Sequence, residues 1–193
     1  VLLPFEIIIF EKTINMERII TVFGSGFTTS DDKLYYEAQI AGKILANNGF
    51  TVCTGGYYGI MEAVSKGAKS VNGKTIGIIV DPALNTGWKS EPNNYIDEIV
   101  KMPNLMERLT ELIAIGDTYL IFKGGTGTLV ELSVALELMN KKVMKEKKLI
   151  IFNSFWEHIV NLLKQDTAQL SELIERCIVF ADINNLETII KTI

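Results

Sequence analysis

The chain has 193 residues, 48% hydrophobic and 22% charged, with a formal net charge of -4. That length suits one well-buried domain rather than two cores, and the balance is that of a globular protein in solution, neither a disordered polymer nor a membrane protein. The acidic excess argues against a duplex nucleic-acid binder, which needs clustered Lys and Arg, but leaves room for a small anion held by one or two cations.

The first residues, VLLPFEIIIFEKTIN, hold an apolar run interrupted by Glu6 and Glu11. They lack a basic start and a small-residue cleavage site, and the run is shorter than the ~20 apolar residues of a spanning helix. Residues 1–15 are therefore expected to be an extension or an added edge strand. Met16 opens a single domain, 16–193, with MERIITVFGSG. RIITVFG (18–24) reads as a buried strand, and Ser30 or Asp31 as the cap of a helix reaching about Asn48, with Leu34, Ala38, Ala41 and Leu45 facing the core. FTVCTGG (50–56) is a second strand, YGIMEAVSKGAKS its helix, and KTIGIIV (74–80) a third strand. DPALNTGWKSEPNN has the Pro, Gly and Asn content of an irregular loop, and YIDEIVKM reads as a short fourth strand. Residues 104–116 form a helix capped by Asn104 and closed by Gly116. DTYLIFKGG is a strand, TGTLVELSVALELMNKK a helix, KKLIIFN a strand, and SFWEHIVNLLKQ a helix capped by Ser154. The tail reads as helix, the short strand RCIVFA, then helix. Alternation of β-branched runs with helical periods predicts a three-layer, doubly wound α/β domain with a mostly parallel sheet and helices on both faces.

In such a sheet ligands bind outside the carboxyl ends of the strands, and several strands here end in glycine. GSG (24–26) lacks the third glycine of a dinucleotide fingerprint, since Thr29 stands there. The second strand ends in Cys53 and Thr54 without an acidic residue for a ribose, so an NAD-type site is disfavoured. GKT (73–75) lacks the spacing and the following helix of a phosphate-binding loop. The turns TGGYYGIMEA and KGGTGTLVEL each place a glycine pair at a strand end and another glycine at a helix start. Backbone N–H groups and the positive end of the helix then face whatever sits there, which makes an anion site. A single pair is equally explained by a tight turn, but two such turns in one sheet favour a ligand.

Taken together, GSG, TGGYYGIMEAVSKGA followed by GKTIGI, the MERL helix and KGGTGTLVEL resemble the LOG (Lonely Guy) family of nucleoside 5'-monophosphate phosphoribohydrolases. The same Rossmann-like pattern extends to molybdenum cofactor carrier proteins and to proteins labelled "lysine decarboxylase". The resemblance covers about 16–165. Its most specific element, P-G-G-x-G-T-x-x-E, is matched by Gly124, Gly125, Gly127, Thr128 and Glu131, with Lys123 in the place of the proline. Of the family's Arg-Lys pair the chain keeps Arg108 and has Leu109 in the second place. The resemblance implies a homodimer and a phosphate cradle made by Gly24, Ser25, Gly55, Gly56, Gly124, Gly125, Thr126, Gly127 and Thr128. Arg108 and Glu131 are its implied catalytic pair. It leaves open a non-enzymatic carrier of a phosphorylated pterin as the alternative to a hydrolase.

The residues carry plainer readings too. Glu131 is expected in the first turn of its helix, where a carboxylate complements the dipole, and Arg108 has Glu111 at helical pairing distance. Thr126 and Thr128 also suit helix capping. Tyr57, Tyr58 and Met61 offer cover for a flat ring, although packing is the commoner use. Trp88 is a candidate lid and Trp156 a core residue, while KKVMKEKK reads as a solvated helix end. Cys53 and Cys177 have no C-x-x-C spacing and His158 no companion ligands, so neither disulfide, metal nor other cofactor is expected, and the cytosol is the default compartment. No lysine stands in an evident pyridoxal phosphate context, so decarboxylation is not expected.

Overall fold

The computed structural model describes residues 18–84 and 91–193; the expected extension 1–15, the start at Met16 and the Trp88 lid lie outside these. Seven described strands form one parallel sheet in the order β4-β3-β2-β1-β5-β6-β7. They are β1 (Arg18–Phe23), β2 (Phe50–Thr54), β3 (Thr75–Val80), β4 (Glu98–Met102), β5 (Thr118–Ile121), β6 (Lys148–Phe152) and β7 (Ile178–Ala181). Between them run α1 (Lys33–Asn47), α2 (Ile60–Lys69), α3 (Leu105–Ile115), α4 (Thr126–Asn140), α5 (Glu157–Leu163) and α6 (Ala168–Cys177), with α7 (Leu186–Ile190) last. The expected doubly wound fold is what the chain adopts.

Side-chain alternation along the strands makes two cores. Ile20, Val22, Leu120 and Phe122 pack with α1, α2 and α7 on one face. Ile19, Phe23, Tyr119 and Ile121 pack with α3, α4, α5 and α6 on the other. Interior strands covered on both faces are buried at every position, as β2, β3 and β5 are. The tail adds helix, strand and helix as expected, β7 pairing with β6.

Two expected caps are displaced. Asp32, not Ser30 or Asp31, occupies the cap of α1, and its carboxylate accepts from Thr29 N at 2.7 Å and Thr29 Oγ1 at 3.2 Å instead of closing the helix. Ser154 does not cap α5: that helix starts at Glu157, after Trp156. The reason is Trp156, whose buried indole donates to Phe122 O at 2.8 Å, so the chain turns at Asn153 (φ 60°) to deliver the ring to the core before the helix begins. Asn104 caps α3 as expected, accepting from Met106 N and Glu107 N, both at 3.0 Å. The core role read for Trp156 is thus correct.

Candidate active site

The chain builds β1 to β4 outward in one direction, then returns to lay β5 on the other side of β1. The switch point lies between the carboxyl ends of β1 and β5, where Phe23 stands level with Ile121. GSG and KGG, nearly a hundred residues apart in the chain, therefore adjoin: Ser25 N donates to Lys123 O at 3.1 Å. Ser25 O in turn accepts from Ile60 N at 2.9 Å, which ties the first turn to the start of α2. Gly59 permits this approach at φ 70°, because a Cβ there would strike Ser25 O and Gly26. Three glycine turns are thus fastened into one rim.

Around that rim the sequence-derived residues divide. Gly24 and Ser25 are partly exposed, and Gly125, Thr126 and Gly127 are exposed at the start of α4. Thr128 is buried beside Gly124, its Oγ1 occupying the space a Cβ would need, so it supports the loop from within. Gly55 and Gly56 are buried as well. Gly56 N donates to Thr54 Oγ1 at 3.0 Å, so this amide is spent inside the protein.

What the second turn carries is Arg108. The side chain leaves the first turn of α3, its Nε donating to Ile78 O at 2.8 Å and its Nη2 to Gly55 O at 3.1 Å. The guanidinium carbon lies 5.2 Å from the centre of the Tyr57 ring. A Cβ at Gly55 would collide with Arg108 Nη2 and Met61 Sδ, so the bare glycine is the seat of the guanidinium. Among the described residues Arg108 forms no ion pair with Glu111, and its remaining N–H groups have no protein acceptor. Burial holds the guanidinium below its usual pKa, with Glu131 and Tyr57 pulling the other way. It remains a cation, since arginine titrates far above neutral pH.

Glu131 stands in the second turn of α4, not the first, because at about 3.6 residues per turn a helix that begins at Thr126 has completed its first turn before it reaches position 131. Beyond the first turn the helix dipole offers it little, and that plainer reading falls away. Burial pushes its carboxyl up to about 7, against the lowering pull of Arg108. A carboxyl poised near neutrality beside a fixed cation is equipped to accept a proton from water and to face a developing positive charge.

Other side chains fall outside that chemistry. Tyr57 is buried, its OH accepting from Val80 N at 3.1 Å, so it is a bracket for Arg108 rather than a cover for a ring. Tyr58 is half exposed. Lys123 is exposed, with Nζ 5.3 Å from the centre of Phe155. Burial drives the Cys53 thiol up to about 12, which leaves it unreactive at neutral pH, and Cys177 is likewise free and buried. His158 is exposed on α5. No metal-binding group of His, Cys, Asp and Glu occurs among the described residues.

Sequence reading missed Asn93. Buried in the loop before β4, its Nδ2 donates to Tyr57 O at 2.7 Å and Gly56 O at 3.1 Å, while its backbone N donates to Gly56 O at 2.8 Å. It clamps the turn on which Arg108 rests. Its only signal was an asparagine in a loop, a residue type expected there for turn chemistry alone.

The profile of the SLOG cluster4 family matches residues 17–176. The chain belongs to the SLOG cluster4 family. This accords with the LOG-like resemblance of the glycine turns. The pyrimidine/purine nucleotide 5'-monophosphate nucleosidase of Escherichia coli (strain K12) is 27% identical over 139 residues, 68% of this chain and 30% of that protein. The chain thus spans under a third of that relative's length. A cytokinin riboside 5'-monophosphate phosphoribohydrolase of Mycobacterium tuberculosis is 27% identical over 114 residues, 58% of this chain and 59% of that protein. Among solved structures, a molybdenum cofactor binding protein from Rippkaea orientalis superposes with a TM-score of 0.62 at 27% identity, covering 91% of this SLOG cluster4 chain and 96% of that one.

Proposed function

We propose that the protein binds a nucleoside 5'-monophosphate and hydrolyses the bond between its base and ribose 5'-phosphate. The observation that carries this reading is Arg108 fixed over Gly55 on the same rim as the glycine loop, with Glu131, its carboxyl pushed up to about 7, within reach of that charge. The nucleosidase and phosphoribohydrolase relatives support it. In this scheme the phosphate lies on the exposed start of α4, Gly125 to Gly127 with Thr126, beside Gly24 and Ser25, and takes the free N–H groups of Arg108. Ionised Glu131 accepts a proton from water as the water oxygen bonds to C1'. The C1'–N bond breaks with its electron pair going to the base, which picks up a proton from solvent. The carboxylate also stabilises the positive charge that builds on the sugar. Water is the only co-reactant. An HPLC assay of AMP and N6-substituted AMP is expected to show free base, with E131Q inactive; no release from any monophosphate rejects the hydrolase.

A second reading, a non-enzymatic carrier of a phosphorylated pterin, is favoured by Leu109. Where the family has a second cation, this side chain packs against the apolar core beside α3, leaving Arg108 without a basic neighbour there. The Rippkaea orientalis protein supports it. Mass spectrometry of the gently purified protein separates the two, a retained pterin marking the carrier and a nucleotide the hydrolase. In either case we place the protein in the cytosol as a homodimer. Support for the homodimer comes from α4, which buries Leu132, Ala135, Leu136 and Met139 yet leaves Val130 exposed on another face.

A further inference from the structure

We propose that Phe27 is the face on which the ligand's flat heteroaromatic ring stacks, and so determines which phosphorylated molecules the site accepts. This rests on the reading above, that the glycine rim holds a phosphorylated molecule bearing such a ring. The rim supplies amides and a cation, and a ring needs in addition an apolar surface within reach of them. Tyr57 is not available, being buried and engaged with Arg108 and Val80. Phe155 is half exposed but already lies beneath Lys123 and edge-on to Trp156.

Phe27 is 95% exposed, two residues beyond Ser25. It does not ride on a loose loop. Its N–H donates to Ser25 Oγ at 3.1 Å, and Ser25 is fastened by its own N–H to Lys123 O and by its carbonyl to Ile60 N. The benzyl group is thus presented by the one turn hydrogen-bonded to both neighbouring turns, at the switch point of the sheet. The apolar surface continues from there, because Met61 Cε lies 3.6 Å from the Cβ position of Gly26 and Met61 Sδ lies against Gly55 under Arg108. A ring on Phe27 and Met61 leaves its phosphate for the start of α4 and the free N–H groups of Arg108, and its sugar for Glu131. A solitary exposed Phe on a protein surface needs no explanation; one whose backbone is anchored to a glycine rim, and which adjoins an apolar strip leading to the cation, has the makings of a stacking platform.

Calorimetric titration of wild type, F27A, F27W and Y58A tests this, with AMP, 6-hydroxymethylpterin phosphate and ribose 5-phosphate as probes. F27A is expected to bind the ring-bearing probe about tenfold or more weakly, with ribose 5-phosphate unchanged. F27W is expected to retain the affinity and Y58A to resemble wild type. Whichever of AMP and the pterin shows the loss identifies the ring. The idea is overturned if F27A binds both ring-bearing probes like wild type, if it loses ribose 5-phosphate equally, or if Y58A alone shows the loss. Base release from AMP by wild type with unchanged binding in F27A overturns only this inference. Failure of wild type to bind any probe overturns the function and the inference together.

Discussion

Glu131 and Arg108 set each other's ionisation, and burial wins over their attraction. The carboxyl is raised to about 7 although the charge of Arg108 pulls it down, because removing the charged form from water costs more than the cation returns. Acting as a base, Glu131 must be ionised, so base release from AMP is expected to rise with pH through about 7 and then level off. E131Q should lower kcat by about 100- to 10,000-fold and flatten the profile. The same shift acts on stability. A folded-state value above the unfolded one means a contribution fully present below the unfolded value of 4.5 and lost as pH rises through about 7. Wild type should therefore lose about 2–3 kcal/mol relative to E131Q between pH 4.5 and pH 8, read from urea unfolding at the two pH values. None of this was legible in the chain. A glutamate with apolar neighbours at 129, 130 and 132 hinted at burial, but its depth and its nearness to Arg108 depend on α3 and α4 packing side by side.

The turn after β2 was read as a phosphate cradle like its counterpart after β5, since both show a glycine pair followed by a helix. The two differ in what their backbone faces. After β5 the amides at the start of α4 stay exposed, whereas after β2 Thr54 and Asn93 occupy the polar groups and Arg108 covers the remainder. G55A is accordingly expected to displace the guanidinium and raise KM for AMP by about tenfold with little loss of secondary structure, checked by kinetics and circular dichroism. N93A removes the clamp and leaves the carbonyl of Tyr57 without its Asn93 donor. It should cost about 1–3 kcal/mol in urea unfolding. Strands and most helices were readable because their periods are local. Asn104 was readable as a cap for the same reason, its partners being the next amides in the chain. Asn93 was missed and Ser154 was misread as a cap, because the turns there are set by Asn93 and Trp156 bonding backbone carbonyls more than thirty residues away.

For the molecule as a whole, the expected homodimer implies that an exposed apolar side chain of α4 meets a second copy. V130E is expected to shift the mass from dimer to monomer by light scattering while leaving the melting profile of the fold in place; a dimer that persists removes Val130 from the interface. A parallel sheet covered on both faces followed from apolar runs too short for helices, separated by helical periods. The glycine turns followed from composition at the strand ends. Both are properties of contiguous residues, which local sterics and hydrogen bonding impose wherever the segment lies. That β5 returns beside β1, that Ser25 reaches Lys123, and that Arg108 seats on Gly55 near a partly buried Glu131 are matters of another kind. They depend on inter-strand ladders and on desolvation, which arise only when distant segments exclude water together.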